Sequence, residues 1–506
     1  MLLRGKYVLT DPEAGEAGIL QEAGVYCSGA RIEEVGDFKR LREKYPDAVI
    51  KGNGRQLLMP GFLDGHSHGW GLSAIQRGTP YDFLENSLID WAGMLDLDPE
   101  LKAMMSAVRH VRSGCTTMHH NNWGFNEVER AEKTIEAYGK VGIRVAYSPG
   151  GRNENILACD DTEFFATLPP DLQELCRPMV YYDKQAVVDA YFQVFDTLHA
   201  RYHTERSRII HGPSWAHGCT ADFLQRVKES ADQRGKLPIH IHTLQTPHQK
   251  AYGLKKYGKS LVDRLGDLGL LDDNLVLGHA VYVTEADIER LASAGASVTH
   301  HPSCNLAVRN GIAPVCPMLK AGVNVALGID DKGINDDEDV IMELRLIHRL
   351  HRMSGFDLAG PPALDAFDVL RIGTVNAARV CGFGGEVGAL KPGMKADAIL
   401  VDLEEIMEDP CMSPDLNMAE IFIHRAKGAH VNTAVVHGRV IMEDRRFLTV
   451  DVDRLYEEVR KQASKGISPE QKQFAEKLQK IKPCYHRWYA GWEAQDFRPF
   501  YVMNSR

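Results

Sequence analysis

Residues 57–68 read LLMPGFLDGHSH, an apolar run that ends in two histidines spaced two apart. On a strand that spacing puts both imidazoles on one face, where two neutral nitrogens can chelate one divalent cation. The same form recurs down the chain. Further apolar runs are CTTMHH (115–120), IRVAYSPG (143–150), RIIHGPSW (208–215), LPIHIHT (237–243), LVLGHAV (275–281), ASVTHHP (296–302) and VNVALGIDD (323–331). Amphipathic stretches with helical spacing separate several of them, among them 99–113, 128–141, 221–234, 258–268 and 285–294. Short apolar runs alternating with helices predict strands buried on both faces, in a parallel sheet. Eight such units predict an α/β fold, a closed (β/α)8 TIM barrel over residues 58–385. Polar residues gather at the ends of the runs: His66 and His68, His119 and His120, His211, His240 and His242, His279, His300 and His301, Asp330 and Asp331. A barrel brings those ends together on one face, where active sites of this architecture sit.

The flanks read differently. Residues 1–57 are short strands broken by turn residues, helical only over 38–44, and 386–450 returns to a β pattern. The simplest arrangement pairs the two as one small β-sandwich-like domain built from both chain ends. The stretch 451–506 is a helical, then aromatic, C-terminal extension. Its Trp488, Trp492, Phe497 and Phe500 would be costly to expose, which predicts packing against the barrel or a homo-oligomer contact.

Composition limits the partners. Among 506 residues, 59 basic side chains face 69 acidic ones, a net charge of −10 that lacks the basic excess of a nucleic-acid binder. No run approaches the roughly 18 apolar residues of a membrane span, and the first residues lack a signal-peptide core. The ten cysteines show no CxxC pair, so reduced thiols are expected rather than a disulfide scaffold. These features point to a soluble, cytoplasmic protein acting on a small molecule.

His66 and His68 are joined by His242, His279 and Asp330 from three further strand ends. Imidazoles with a carboxylate suit one divalent ion per chain, zinc first, with iron, cobalt or manganese as alternatives. An ion so held lowers the pKa of a bound water to about 7. Asp330 is placed to take that water's proton and pass it on.

Taken in order, MPGFLDGHSH, IHIHTLQT, GHAV, THHPSCN and ALGIDD resemble the amidohydrolase superfamily. More narrowly they are similar to its mononuclear-metal branch, with the cytosine, guanine and adenosylhomocysteine deaminases and the triazine hydrolases. The resemblance covers residues 1–450 or so and implies His66, His68, His242 and Asp330 as metal ligands. It also implies Asp330 as the base and His279 as a contact to the attacking water or the polarised group. THHPSCN is similar to the family's HxPxSN stretch, with Cys304 in place of serine, so His300 and Asn305 are implied on the substrate side. His301 takes the place of His300 if the strand register slips by one.

Two departures matter. The fourth run, RIIHGPSW, offers no lysine for a second metal. And where the deaminases carry a proton-shuttling glutamate three residues after the fifth-strand histidine, this chain has Gln245, which hydrogen-bonds but cannot carry a proton. That second departure moves the expectation from ring deamination to hydrolysis of an acyclic amide, urea or carbamate C–N (or C–S) bond, with Gln245 orienting the substrate. The stretch 68–91, HGWGLSAIQRGTPYDFLENSLIDW, is softly similar to the phenylurea and thiocarbamate hydrolases. Its Trp70, Tyr81, Phe83 and Trp91 would form an apolar lid suited to an aryl group. His120 is a further pocket candidate, as are His119 and His211 unless they are satisfied core residues. His348 and His351, in IHRLHR, read as a solvated face. Arg77 holds an anionic substrate group or makes a plain ion pair. Two alternatives stand beside the acyclic reading. One is an aminohydrolase or dechlorinating hydrolase on a purine, pyrimidine or triazine ring. The other is a non-catalytic assembly protein on the same fold, which the filled ligand positions argue against.

Overall fold

The run 57–68 folds as two strands. Gln56–Pro60 belongs to a sheet outside the barrel, and Phe62–Ser67 opens the barrel itself. Between them Gly61 passes so close to Thr116 that a β-carbon would lie 2.2 Å from its side chain. The computed structural model describes residues 1–123, 127–352 and 364–492.

Among the described residues the barrel strands are Phe62–Ser67, Cys115–Asn121, Arg144–Ser148, Ser207–Ile209, Ile239–Thr243, Leu275–His279, Ser297–His300 and Asn324–Leu327. The first four pair in parallel in chain order, and so do the last four. A bridge between His211 and Ile239 joins the two halves. The ring closes where the Asp330 N–H donates to the His66 carbonyl at 2.8 Å. Helices alternate with the strands as the amphipathic stretches predict, for example Pro99–Arg112, Val128–Val141, Ala221–Gln233 and Glu285–Ala294. The last of these begins with a Thr284/Asp287 capping box and ends at Gly295 in the left-handed region.

Strand parity sorts the interior from the helix-facing core. Ile239 and Ile241, Leu275 and Leu277, and Val325 and Leu327 pack outward into the large core. The alternate positions turn inward, since successive side chains point to opposite faces. Low in the barrel these are apolar: Leu63, Ala146, Ile210, Val276 and Ala326 pack on Phe383 and the helix Val375–Val380. Higher up they are histidines.

The expected sandwich-like unit is one hydrogen-bonded sheet of nine strands among the described residues, drawn from both chain ends. Gln56–Pro60 lies in it between Leu2–Leu9, to which it is parallel, and Ala398–Asp402, to which it is antiparallel. Leu57 and Met59 face the barrel's core, while Leu58 enters a separate core with Leu3, Val8, Val25 and Leu400. A buried ion pair ties the sheet to the barrel: Arg144 of the third barrel strand donates through Nε and Nη2 to both Asp397 oxygens at 2.9 Å.

The extension folds as helices Val452–Ala463, Pro469–Gln479 and Lys482–Ala490. Gln471 Nε2 donates to the carbonyls of Ala92 (3.1 Å) and Met94 (3.0 Å), and Tyr485 to that of Leu157 (3.2 Å). Trp488 packs on Phe164, and Trp492 stacks parallel to Tyr252, so these two rings are placed against the barrel domain. Phe497 and Phe500 lie outside the described residues. Among the described residues no helix is long and apolar enough to cross a membrane.

One expectation is corrected. His348 and His351 do not form a solvated face; both are buried, because the helix Val340–Leu350 lies between the barrel and the helix Met418–Arg425. His351 Nε2 sits 2.9 Å from His300 Nε2. Burial lowers the pKa of His351 to about 4, and that of His217 to about 3, where nearby Arg152 adds to the effect. Unfolding returns each to its ordinary value near 6.5, so below that pH the unfolded chain binds more protons than the folded one. The stability they contribute is complete above pH ~6.5 and is lost as pH falls towards 4, by up to about 1.4 kcal/mol per pH unit for each histidine. Urea midpoints measured between pH 7 and 5 are expected to fall; a flat profile would show that both titrate in the folded state as they do in the unfolded chain.

Candidate metal centre and substrate slot

The inward positions of the first, fifth, sixth and eighth strands converge. Nitrogens of His66, His68 and His242 lie within 4.8 Å of one another, as do ligand atoms of His66, His279, His301 and Asp330. Asp330 Oδ1 stands 3.0 Å from His68 Nε2 and 3.7 Å from His66 Nε2, and its Oδ2 is 3.9 Å from His279 Nε2. The backbone is unusual here. His279 (φ 71°), Ala280 (48°), Asp330 (57°) and Asp331 (56°) all adopt the left-handed region, which residues with a β-carbon seldom enter. Gly328 lets the rings close up: a β-carbon there would sit 2.4 Å from the His301 ring.

Each imidazole is aimed from behind. His68 Nδ1 donates to the Asn121 carbonyl (2.7 Å) and His242 Nδ1 to the Ser214 carbonyl (2.6 Å), which turns both Nε2 atoms to the cluster. His66 Nδ1 meets His240 Nε2 at 2.7 Å, and His279 Nδ1 meets Asn305 Oδ1 at 3.0 Å. Such contacts fix the tautomer and orientation of metal-binding histidines. The Nε2 atoms of His66 and His279, and Asp330 Oδ1, are buried with no hydrogen-bond partner.

Lone pairs turned on one another in a buried site suit a cation between them, and this donor set of imidazoles and one carboxylate fits a single divalent ion. The electrostatics agree. Burial and the neighbouring imidazoles hold His66 and His242 well below the ordinary histidine value, so both stay neutral. Burial also works against a charge on His68, but the adjacent Asp330 carboxylate outweighs this and raises its pKa. Burial would raise Asp330 too; the Lys332 ammonium and His68 more than offset it and keep the carboxyl well below its usual range.

Around this cluster the slot walls are Trp70, Trp91, Trp123 and Trp215, with Gln245 and Lys332 also facing in. Trp70 and Trp91 meet edge to face at 5.1 Å, and Trp123 and Trp215 at 4.9 Å. Asn305 supports His279. His120 lies beside the slot in a second cavity, its Nδ1 2.7 Å from the Tyr138 hydroxyl. Tyr81 packs behind Trp70, and its hydroxyl donates to Asp336 Oδ1 at 2.5 Å. Of the seventh-strand pair, His301 faces the cluster, with Nδ1 3.8 Å from Asp330 Oδ2, while His300 shares the outward parity of Val298. His119 and His211 are satisfied away from the slot: His119 by the Gly65 carbonyl and Ser148, His211 by Tyr191 and Ser230.

Cys304 carried no role in the sequence reading, and Lys332 escaped it. Cys304 donates its thiol hydrogen to Asp330 Oδ2 at 2.7 Å, and burial together with that carboxylate keeps the thiol protonated. Lys332 is buried, donates to the Asp330 carbonyl at 2.7 Å and lies 4.8 Å from the centre of the Trp70 ring. Burial disfavours its charge, but Asp330 outweighs this and holds it as an ammonium.

Comparison with known proteins places this geometry. The chain is 30% identical over 478 residues to 5′-deoxyadenosine deaminase of Methanosarcina barkeri, covering 92% of this chain and 98% of the relative. It is 29% identical over 464 residues to 5-methylthioadenosine/S-adenosylhomocysteine deaminase of Caldanaerobacter subterraneus subsp. tengcongensis, covering 90% and 96%. Among solved structures, a zinc-bound adenosine deaminase of Xanthomonas campestris superposes with a TM-score of 0.76 at 24% identity, over 92% of this chain and 98% of that one. The zinc complex of atrazine chlorohydrolase from Arthrobacter aurescens gives 0.74 at 22% identity, over 91% and 99%. The amidohydrolase family model matches residues 57–441, from the strand that leads into His66 to the last long strands of the composite sheet. The barrel, the strand-end cluster and that match together make the chain a member of the amidohydrolase family.

Proposed function

We propose that the protein is a zinc-dependent aminohydrolase that removes the exocyclic amino group of a purine-type ring as ammonia, with an adenosine-like nucleoside as the substrate class. The observation that carries this reading is the likeness, along nearly the whole chain, to deaminases of adenosine-type nucleosides. The four tryptophans around the slot add to it, since a flat ring is held by edge and face contacts of this kind. The comparisons thus back the heterocycle alternative better than the acyclic amide, urea or carbamate reading.

A zinc ion held by His66, His68, His242 and Asp330 would acidify a bound water and polarise the carbon under attack. Asp330 Oδ1, which has no other partner, accepts the water's proton and returns it to the departing amine. His279, its Nδ1–H held by Asn305 Oδ1, turns its Nε2 lone pair to the cluster and accepts a hydrogen bond from the attacking water. Gln245 orients the ring, and the Lys332 ammonium places positive charge beside it.

Gln245 is also the observation that favours the second reading. A carboxamide cannot protonate a ring nitrogen, whereas an acyclic C–N bond needs only Asp330. The zinc-loaded protein should release ammonia from 5′-deoxyadenosine or 5-methylthioadenosine and leave phenylureas and carbamates intact; the opposite pattern would establish the acyclic reading. Under the deaminase reading Gln245→Glu is expected to raise kcat for ring deamination by about 100-fold, the lower end of the range for a positioned acid–base group. Steady-state ammonia assays of the variant check this, and no gain would mean that another group already moves that proton.

A further inference from the structure

Trp91 stands where the slot meets the second cavity and is a wall of both. Its ring lies 5.1 Å from that of Trp70 and 6.2 Å from that of Trp123, edge to face in each case. The segment that carries it has little hold of its own. Leu84–Asp90 is a helix of seven residues, Trp91–Gly93 is a single 3-10 turn, and neither begins with a side-chain cap. Elements this short are not stable by themselves in water.

The segment is held from the other end of the chain, beyond residues 57–441 that match the family. Gln471 Nε2 donates to the carbonyls of Ala92 and Met94, at 3.1 and 3.0 Å. Gln479 Nε2 (2.8 Å) and Lys482 Nζ (2.5 Å) both donate to Oδ1 of Asp90, the residue before Trp91. His486 Nε2 lies 2.7 Å from Asn86 Oδ1, and the Asp98 N–H donates to Gln462 Oε1 at 2.9 Å. The turn runs so close to the helix Pro469–Gln479 that a β-carbon on Gly93 would sit 3.3 Å from that of Ala475. Gln471 is itself a wall of the second cavity. The same extension reaches two further loops on this face of the barrel. The Tyr489 hydroxyl accepts from the Cys159 N–H at 3.0 Å, after the third strand. Its ring lies 4.2 Å from that of His248, three residues past Gln245.

We propose that the C-terminal extension is a working part of the site. Gln471, Gln479 and Lys482 are positioning residues that hold Trp91 at the boundary of slot and cavity, and so set the grip on whatever enters the slot. What Trp91 grips rests on the ring-substrate reading above; that the extension holds Trp91 stands on the contacts alone.

The test compares the full-length, zinc-loaded protein with Gln471→Ala and Lys482→Met. Hydrogen–deuterium exchange without substrate reads the hold on the segment, because exchange follows local opening. Peptides covering 84–97 should exchange about 10-fold faster or more in Gln471→Ala, for the loss of two neutral hydrogen bonds. Lys482→Met keeps the test valid if the first variant fails to fold; with a side chain 22% exposed, its loss should give a rise of about 3-fold or more. The strands Ile239–Thr243 and Leu275–His279 should keep their wild-type rates in both. With a nucleoside that is turned over, KM should rise about 3- to 10-fold, the worth of one aromatic contact, while kcat and zinc content stay within about 2-fold. A purely structural prop would behave otherwise: exchange would rise across the barrel, or kcat and zinc content would fall with KM unmoved. Either result overturns the proposal, as does unchanged exchange over 84–97, or unchanged KM, in both variants. Faster exchange confined to 84–97 in both variants, in a protein that releases no ammonia from any nucleoside, would retain the role of the extension and discard ring deamination.

Discussion

Asp330→Asn should lower kcat by about 10³-fold, within the range assigned to a positioned acid–base group, while the protein remains folded and metal-loaded. The side chain sits where three requirements meet. One oxygen has no hydrogen-bond partner and lies within 4 Å of the Nε2 atoms of His66 and His68, and the other is occupied by the Cys304 thiol. Its charge is secured by Lys332 and His68. Asparagine keeps the size and one oxygen but removes the charge and the proton-carrying capacity. Metal analysis alongside turnover separates the roles: zinc retained with activity lost assigns proton transfer to Asp330. Zinc lost in proportion to activity makes it a ligand first. A variant that keeps more than a tenth of wild-type turnover would show that the proton travels by another route.

Removal of the metal should have the second large effect, on both activity and stability. The histidines that converge on Asp330 are buried, several are held neutral, and each is locked from behind by a carbonyl, amide or second imidazole. The site cannot relax into water when the cation leaves. Exhaustive chelation is expected to reduce turnover below about 1% of the loaded protein, with recovery on one equivalent of zinc per chain. Binding to the folded state alone also stabilises it, by about 2.7 kcal/mol when free zinc is a hundred times its Kd. The thermal midpoint should therefore rise with zinc concentration. A chelated protein with undiminished activity would remove the metal from the reaction. Recovery requiring two equivalents would point to a second ion at the neighbouring His66, His119 and His240 nitrogens.

Much of this was legible because barrel strands write their parity plainly. In IHIH the isoleucines pack outward and His240 and His242 turn inward. The same rule applied to SVTHH puts Val298 and His300 outward and His301 inward, so the one misplaced inward histidine was within reach of the pattern. Lys332 was not. A lysine in DDKG reads as a solvated turn, and its burial comes from Trp70 and Trp91, which are remote in sequence. Trp123 and Trp215 escaped for a similar reason: one aromatic after a strand carries no signal until the fold assembles several around one slot. His348 and His351 misled because basic neighbours suggest solvent, whereas a second helix layer covers that face. The substrate was hardest. Gln245 argued from a single position against ring chemistry, while the likeness of the whole chain points towards it.

The Gln56–Pro60 strand has a consequence for how the molecule is made. It lies between a strand from the first ten residues and one that begins at Ala398, and it leads directly into the strand that bears His66 and ends just before His68. During synthesis its open edge must wait until more than three hundred further residues have emerged, since Ala398 pairs with Pro60. Until then the nascent chain carries an exposed apolar strand edge, the kind of surface on which chains join wrongly. The metal-bearing strand is thus anchored by a part of the chain made more than three hundred residues later, so a ribosome-stalled or C-terminally truncated product that ends before it would hold its ligands and still lack the frame that aligns them.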